Sequence, residues 1–189
     1  MNTNNIENRR SFLTKMLVAG ASGVALLSTS AYAKKDTTDT TVVLTEDQKD
    51  MLFYIYQEEK VARDVYITLG NIYTNENTFA SIQLSEQRHM DSAKELCEKY
   101  GVDTSGVDED AVGSFVLPVL QELYDTCVGE GETSLLDALK IGELIEYTDI
   151  EDLEHAAEGM PEDVVAVYES LKEGSLSHLD AFQTAIERA

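Results

Sequence analysis

The chain has 189 residues with 36 acidic against 14 basic side chains, a formal net charge of −22 and only two cysteines. A surface so acidic repels nucleic acid and anionic lipid, and two distant cysteines are too few for a metal knuckle. No Gly-rich phosphate loop, Gly-x-Ser-x-Gly elbow or Cys-x-x-Cys occurs, so phosphoryl transfer, triad hydrolysis and thioredoxin chemistry have no support.

Residues 1–33 have the layout of an export signal. Asn8-Arg9-Arg10-Ser11-Phe12-Leu13-Thr14-Lys15 precedes an apolar run from Met16 to Leu27, and Ala31-Tyr32-Ala33 offers a small-x-small cleavage site. The paired arginines followed by Phe-Leu resemble a twin-arginine signal, a route that carries folded proteins. An uncut membrane anchor is the alternative, disfavoured because the apolar run is short for a span. Cleavage leaves 156 residues, enough for one domain with a sizeable core, with 35 acidic and 11 basic groups. The expected location is periplasmic or extracellular. There Cys97 and Cys127 are open to pairing, which would close a loop of about 30 residues and add about 3 kcal/mol.

Residues 34–44 are polar and Thr-rich at first and read as a flexible linker, and the folded domain is expected over 45–189. Thr45 with Gln48 forms a capping-box start for the first helix. Its seam runs Leu52, Ile55, Glu59, Ala62, Tyr66, Leu69 and Tyr73 in alternating steps of three and four. After a polar turn at Thr74–Thr78, a second helix repeats the rhythm with Phe79, Ile82, Glu86, His89, Ala93, Leu96 and Tyr100, and Gly101 ends it. Val102 to Ser114 is an acidic loop. Phe115 to Val128 reads as a short helix with Pro118 in its first turn, broken by Gly129-Glu130-Gly131. Thr133 or Ser134 caps a third long helix running to about Glu158. Its stripe is Leu135, Leu139, Gly142, Glu146, Asp149, Leu153 and Ala156, flanked by Glu143. Gly159-Met160-Pro161 separates it from a fourth, with Val164, Val167, Leu171, Ser175, His178, Phe182 and Ala185. Gly174 inside that helix costs about 1 kcal/mol relative to alanine, which a bulge or a close packing contact would explain. No segment alternates with period two. The fold expected is all-α, four principal helices with a short extra helix in the second-to-third connection, which admits a crossover.

Each seam carries polar residues near its middle: Glu59; Glu86 with His89; Glu146 with Asp149 or Glu143; and His178. Acids and imidazoles gathered on one axis need cations or protons to offset repulsion and desolvation. Two metals would do so, and this donor mixture suits iron or manganese without excluding zinc. Arg63, Asp64 and Arg88 adjoin these positions and read either as partners of the ligands or as surface salt bridges. Tyr66 reads as a packed tyrosine bonding a carboxylate, or as a redox group beside a metal. His155, near a helix C-terminus, is expected to be structural or solvated.

Glu59-Lys60-Val61-Ala62-Arg63-Asp64-Val65-Tyr66 resembles the Glu-x-x-Ala-x-x-x-Tyr of the first rubrerythrin helix, and Ser85-Glu86-Gln87-Arg88-His89 resembles the second. Gly142-Glu143-Leu144-Ile145-Glu146-Tyr147-Thr148 is similar to the third, where two glutamates three apart can both meet metal. The fourth departs, with Ser175-Leu176-Ser177-His178 where that family has Glu-x-x-His. The whole pattern, over roughly residues 45 to 187, is closest to the ferritin-like family known as domain of unknown function 2202. The resemblance implies a ferritin-like four-helix bundle holding two metals, most readily iron, on Glu59, Glu86, His89, Glu146, His178, Glu143 and Asp149. No settled activity comes with that family; the activity expected from such a centre is that of a di-iron oxidoreductase of ferroxidase or peroxidase type, acting on ferrous iron, oxygen or peroxide. Its electron donor is not named by the sequence, since no cysteines remain for a rubredoxin-like centre. The alternative is a non-catalytic metal-binding or interaction module with an incomplete site, to which Ser175 points. Partners expected are metal ions and a small oxidant, with no nucleic acid, no membrane after signal cleavage, and a homodimer left open.

Overall fold

The computed structural model describes residues 42–189. The export segment at 1–33 and most of the linker lie outside the described residues. The linker ends one residue earlier than its composition suggests, because Leu44 is buried in the core.

Five helices and no strands make up the described chain: α1 (Glu46–Ile72), α2 (Asn77–Lys99), α3 (Pro118–Gly131), α4 (Leu135–Ala156) and α5 (Glu162–Arg188). The Thr45 capping box is formed as the sequence indicates, with both the Thr45 and Gln48 side chains engaged. Ser134 rather than Thr133 caps α4, accepting from the Asp137 amide at 3.1 Å. Gly101 and Gly159 follow α2 and α4 at φ of 70° and 72°, left-handed positions that favour glycine.

Two boundaries differ from expectation. Helix α3 starts at Pro118 rather than Phe115 and runs through Gly129 to Gly131 instead of breaking. The backbone at Gly131 lies against Leu69, where an added Cβ would come within 2.7 Å of that side chain, so the glycine admits a close helix contact. Helix α4 stops at Ala156, two residues short of Glu158.

The four long helices pack as a bundle in which α1 neighbours α2 and α4, and α5 neighbours α4 and α2. One end of the core holds Leu52 and Ile55 of α1, Ala93 and Leu96 of α2, Leu153 and Ala156 of α4, and Val164 and Leu171 of α5. The other is built on Tyr66, Phe79 and Phe182, with ring centroids 5.1 to 6.3 Å apart. Gly142 makes room there, since a Cβ would collide with Phe182. These positions make every neighbouring pair antiparallel and α2 parallel to α4. The chain therefore crosses back along the bundle between α2 and α4, through residues 102–117 and α3, which packs on α1 and α4. Of the two topologies the long connection allowed, the crossover is the one adopted.

Cys97 and Cys127 are both free and buried, and no disulfide joins them. Burial pushes each thiol up to about 12.

Candidate metal centre

Between the two apolar ends each seam turns polar for about one turn. Glu59 lies between Ile55 and Ala62, Glu86 and His89 between Ile82 and Ala93, Glu146 and Asp149 between Gly142 and Leu153, and Ser175 and His178 between Leu171 and Phe182. All seven of these polar side chains are buried. Helical spacing of three and four places each set on the inward face.

Their donor atoms converge. His89 Nδ1 lies 3.1 Å from Glu86 Oε2 and 3.4 Å from Glu59 Oε2. His178 Nδ1 lies 2.7 Å from Glu86 Oε1 and 3.4 Å from Glu146 Oε2. The imidazoles stack with centroids 5.2 Å apart. Glu86 thus spans two half-sites, each completed by one histidine and one further glutamate. Yet both Nδ1 atoms, both Glu59 oxygens and Glu86 Oε1 have no hydrogen-bond partner. The atoms crowd together without N–H groups directed at oxygens, an arrangement that costs free energy unless protons or a metal ion join them. Glu86, His89 and His178 each offer an atom within 4.8 Å of the others, a group able to hold a metal ion.

The electrostatics match this crowding. Burial alone would raise Glu86, but the imidazoles of His178 and His89 outweigh it and hold the carboxylate down at about 2. Burial raises Glu59 to about 7, with His89 opposing, and raises Glu146 to about 8, helped by the Glu86 charge. Burial works against charge on the histidines, yet the neighbouring carboxylates lift His89 to about 11 and His178 to about 9.

Surrounding groups fix the donors. Tyr66 donates to Glu146 Oε1 at 2.6 Å, which is the packed-tyrosine reading of that residue. Ser175 Oγ stands 2.5 Å from Asp149 Oδ2 and 3.1 Å from the Leu171 carbonyl oxygen. Burial and the charges of Glu59 and Glu86 hold Asp149 far above the usual carboxylate range. The Ser175 hydroxyl donates toward both oxygens and ties Asp149 to α5. Gly174 has the close-packing explanation, since a Cβ there would collide with His89 Nε2.

Other residues singled out in the sequence lie apart. Glu143 is half-buried and accepts from Gln183 Nε2 at 3.2 Å, without a contact to the histidines. Arg63 and Asp64 are neither surface salt bridges nor supports of the donors: they are buried and hold the α2–α3 connection. Arg88 bonds Ser85 at an exposed position. His155 is exposed in the last turn of α4, 3.9 Å from Glu158. Sequence reasoning passed over Glu58 and Asp152, which burial raises and which face each other beside the centre. Their signal was available: Glu58, Asp149 and Asp152 fall at one level once α1 and α4 are set antiparallel.

The fold and the site define an all-α, bundle-like protein with a buried Glu/His/His group able to hold metal. The chain belongs to the family described as an uncharacterized protein domain, DUF2202, whose model matches residues 48–189. It is 44% identical over 140 residues to an uncharacterized protein, MJ0754, of Methanocaldococcus jannaschii, covering 74% of this chain and 75% of the relative. It is also similar to the crystal structure of the hypothetical protein MJ0754 from Methanococcus jannaschii. That match has a TM-score of 0.73 and 38% identity, covering 84% of this chain and 86% of that one.

Proposed function

We propose that this is an exported ferritin-like metalloprotein whose Glu59, Glu86, His89, Glu146 and His178 hold a pair of metal ions, iron by preference. The observation that carries the reading is the set of buried donor atoms lying 2.7 to 3.4 Å from one another without a directed hydrogen bond. Three carboxylates and two imidazoles form the nitrogen–oxygen set that suits iron or manganese, and zinc is compatible with it. Iron held there would supply electrons to oxygen or peroxide by passing from ferrous to ferric, so ferrous-iron oxidation or peroxide reduction is the activity we assign.

The residues of the chain divide that work. Glu86 offers one oxygen to each half-site. Tyr66 orients Glu146 through its hydroxyl, the type of outer contact that tunes a ligand. The Ser175 hydroxyl holds Asp149 beside the donors without adding another charge. The apolar layers at either end limit water around the site. Asp149 is the next donor to engage, and Glu143 the last.

The experiment is aerobic loading of the mature protein with ferrous iron, followed by elemental analysis and absorption spectroscopy. The expected result is about two irons per chain, lost in Glu86→Ala. Metal-free protein whose melting temperature ignores iron and manganese overturns the reading. The second reading, a non-catalytic module, rests on Ser175, which stands where a fourth carboxylate would complete the set. Iron bound at that stoichiometry without turnover of oxygen or peroxide would select it.

A further inference from the structure

On the α1–α4 face beside the centre, a second group of oxygens has no role in the arrangement above. Glu58 is 6% exposed, and its Oε2 is buried without a hydrogen-bond partner. It faces Asp152 of α4, whose Oδ2 is likewise buried and partnerless. The Tyr168 hydroxyl, on a side chain only 1% exposed, also lacks a partner and lies within electrostatic reach of Glu58 and Glu59. The acids acting on Glu58 are Asp152, Asp149 and Glu59, the Tyr54 hydroxyl of α1 also lies against it, and the exposed His155 acts on Asp152. Two acceptor oxygens facing each other require a positive species between them, a proton or a cation.

The layout favours a cation. Asp152 is half-buried, Glu58 and Asp149 are buried, and Glu59 is 1% exposed, so the carboxylates run from solvent to the centre in order of burial. An all-oxygen set with a tyrosine hydroxyl beside it suits a hydrated divalent ion held loosely, and an acidic surface concentrates such ions at its mouth. We infer that Asp152, Glu58 and Asp149 form a staging site through which divalent cations reach Glu59 and the buried centre. The inference rests on the metal-binding reading above and adds the path by which the centre is filled.

Cobalt(II) is a suitable probe, because its visible absorption develops as it enters a nitrogen–oxygen site. Metal-free wild type, Asp152→Asn, Glu58→Gln and a charge control at exposed Asp180, Asp180→Asn, are mixed with cobalt by stopped flow, and stoichiometry is measured by equilibrium titration. Asp152→Asn and Glu58→Gln are expected to fill at least about tenfold more slowly, with the final band unchanged. Asp180→Asn is expected to fill at the wild-type rate. An unchanged far-ultraviolet circular-dichroism spectrum checks that each variant keeps the fold. Equal rates in all four proteins overturn the path and leave Glu58 and Asp152 sharing a proton. Equal slowing in Asp180→Asn overturns it in favour of general charge. Wild type that develops no cobalt band fails the metal-binding reading itself, and the path with it.

Discussion

Glu59 and Lys60 are neighbours on α1, both buried, and they belong to two opposite ways of keeping charge inside a protein. Lys60 contacts Asp64 at 2.6 Å and donates to the carbonyls of Ala111 and Ser114. Arg63 binds Asp64, Gln87 and the Glu109 carbonyl, and Asp64 also accepts the Gly113 amide. That network is closed: Asp64 meets two cations, and the bonds clamp the α2–α3 connection onto α1. The cluster around Glu59 is open, since its nitrogens and oxygens meet without completing hydrogen bonds. Buried charge that is fully satisfied is architecture; buried charge left unsatisfied points to a ligand.

The sharpest way to break this contrast is Asp64→Ala. It strands two buried cations and should cost about 3–5 kcal/mol in denaturant unfolding, while metal stoichiometry in the folded fraction stays at the wild-type value.

A pH series separates the clusters next. Folded Glu59 and Glu146 keep protons up to about 7 and 8 that the unfolded chain releases near 4.5, so their contribution declines as pH rises through that range. His178 and His89 contribute fully below 6.5, and that contribution is lost as pH climbs through about 9 and 11. Glu86 runs the other way, and its contribution disappears only as pH falls from 4.5 through about 2. The melting temperature of metal-free protein should therefore fall between pH 6 and pH 9, by on the order of 5 °C. Metal binding displaces those protons and strengthens with pH, so the gap between loaded and metal-free protein should widen over the same interval. A metal-free protein that gains stability toward pH 9 would contradict the open cluster.

Gly174→Ala drives a methyl group into His89. About 1–3 kcal/mol of stability should be lost to overpacking, and titration should show the His89 half-site weakened with the His178 half-site retained. The smallest effect expected is Ser175→Ala, about 1 kcal/mol, because Asp149 loses one hydrogen-bond partner. If Ser175→Ala instead abolishes metal binding, Asp149 is a principal donor and the division of roles above is wrong.

Periodicity made much of this legible. Apolar steps of three and four put Glu59, Glu86, His89, Glu146 and His178 on inward faces, and those five side chains do meet. Glu143 did not separate from Glu146 in the sequence, because residues three apart share a face and only the position of Gln183 decides which way the former leans. The closed network was illegible for a different reason. Lys60 and Asp64 hold backbone groups of residues 111–114, and such long-range bonds leave no spacing to recognise. Glu58 and Asp152 escaped notice because each sits one step off its seam, and their pairing depends on how α1 and α4 are set against each other. Gly174 stood out as a costly residue inside a helix, and the close contact with His89 explains it.

The crossover between α2 and α4 also bears on how the molecule assembles. The α1–α2 hairpin carries Glu59, Glu86 and His89, and the α4–α5 hairpin carries Glu146, Asp149 and His178. Each hairpin is local in sequence and closes quickly, whereas the crossover forces their docking to be the long-range, slow event. Glu86 meets His178, its partner on the other hairpin, only at that step. If docking completes after the transition state, metal bound across the two hairpins acts on the rate of coming apart: loading would slow unfolding many times over and leave the refolding rate almost unchanged.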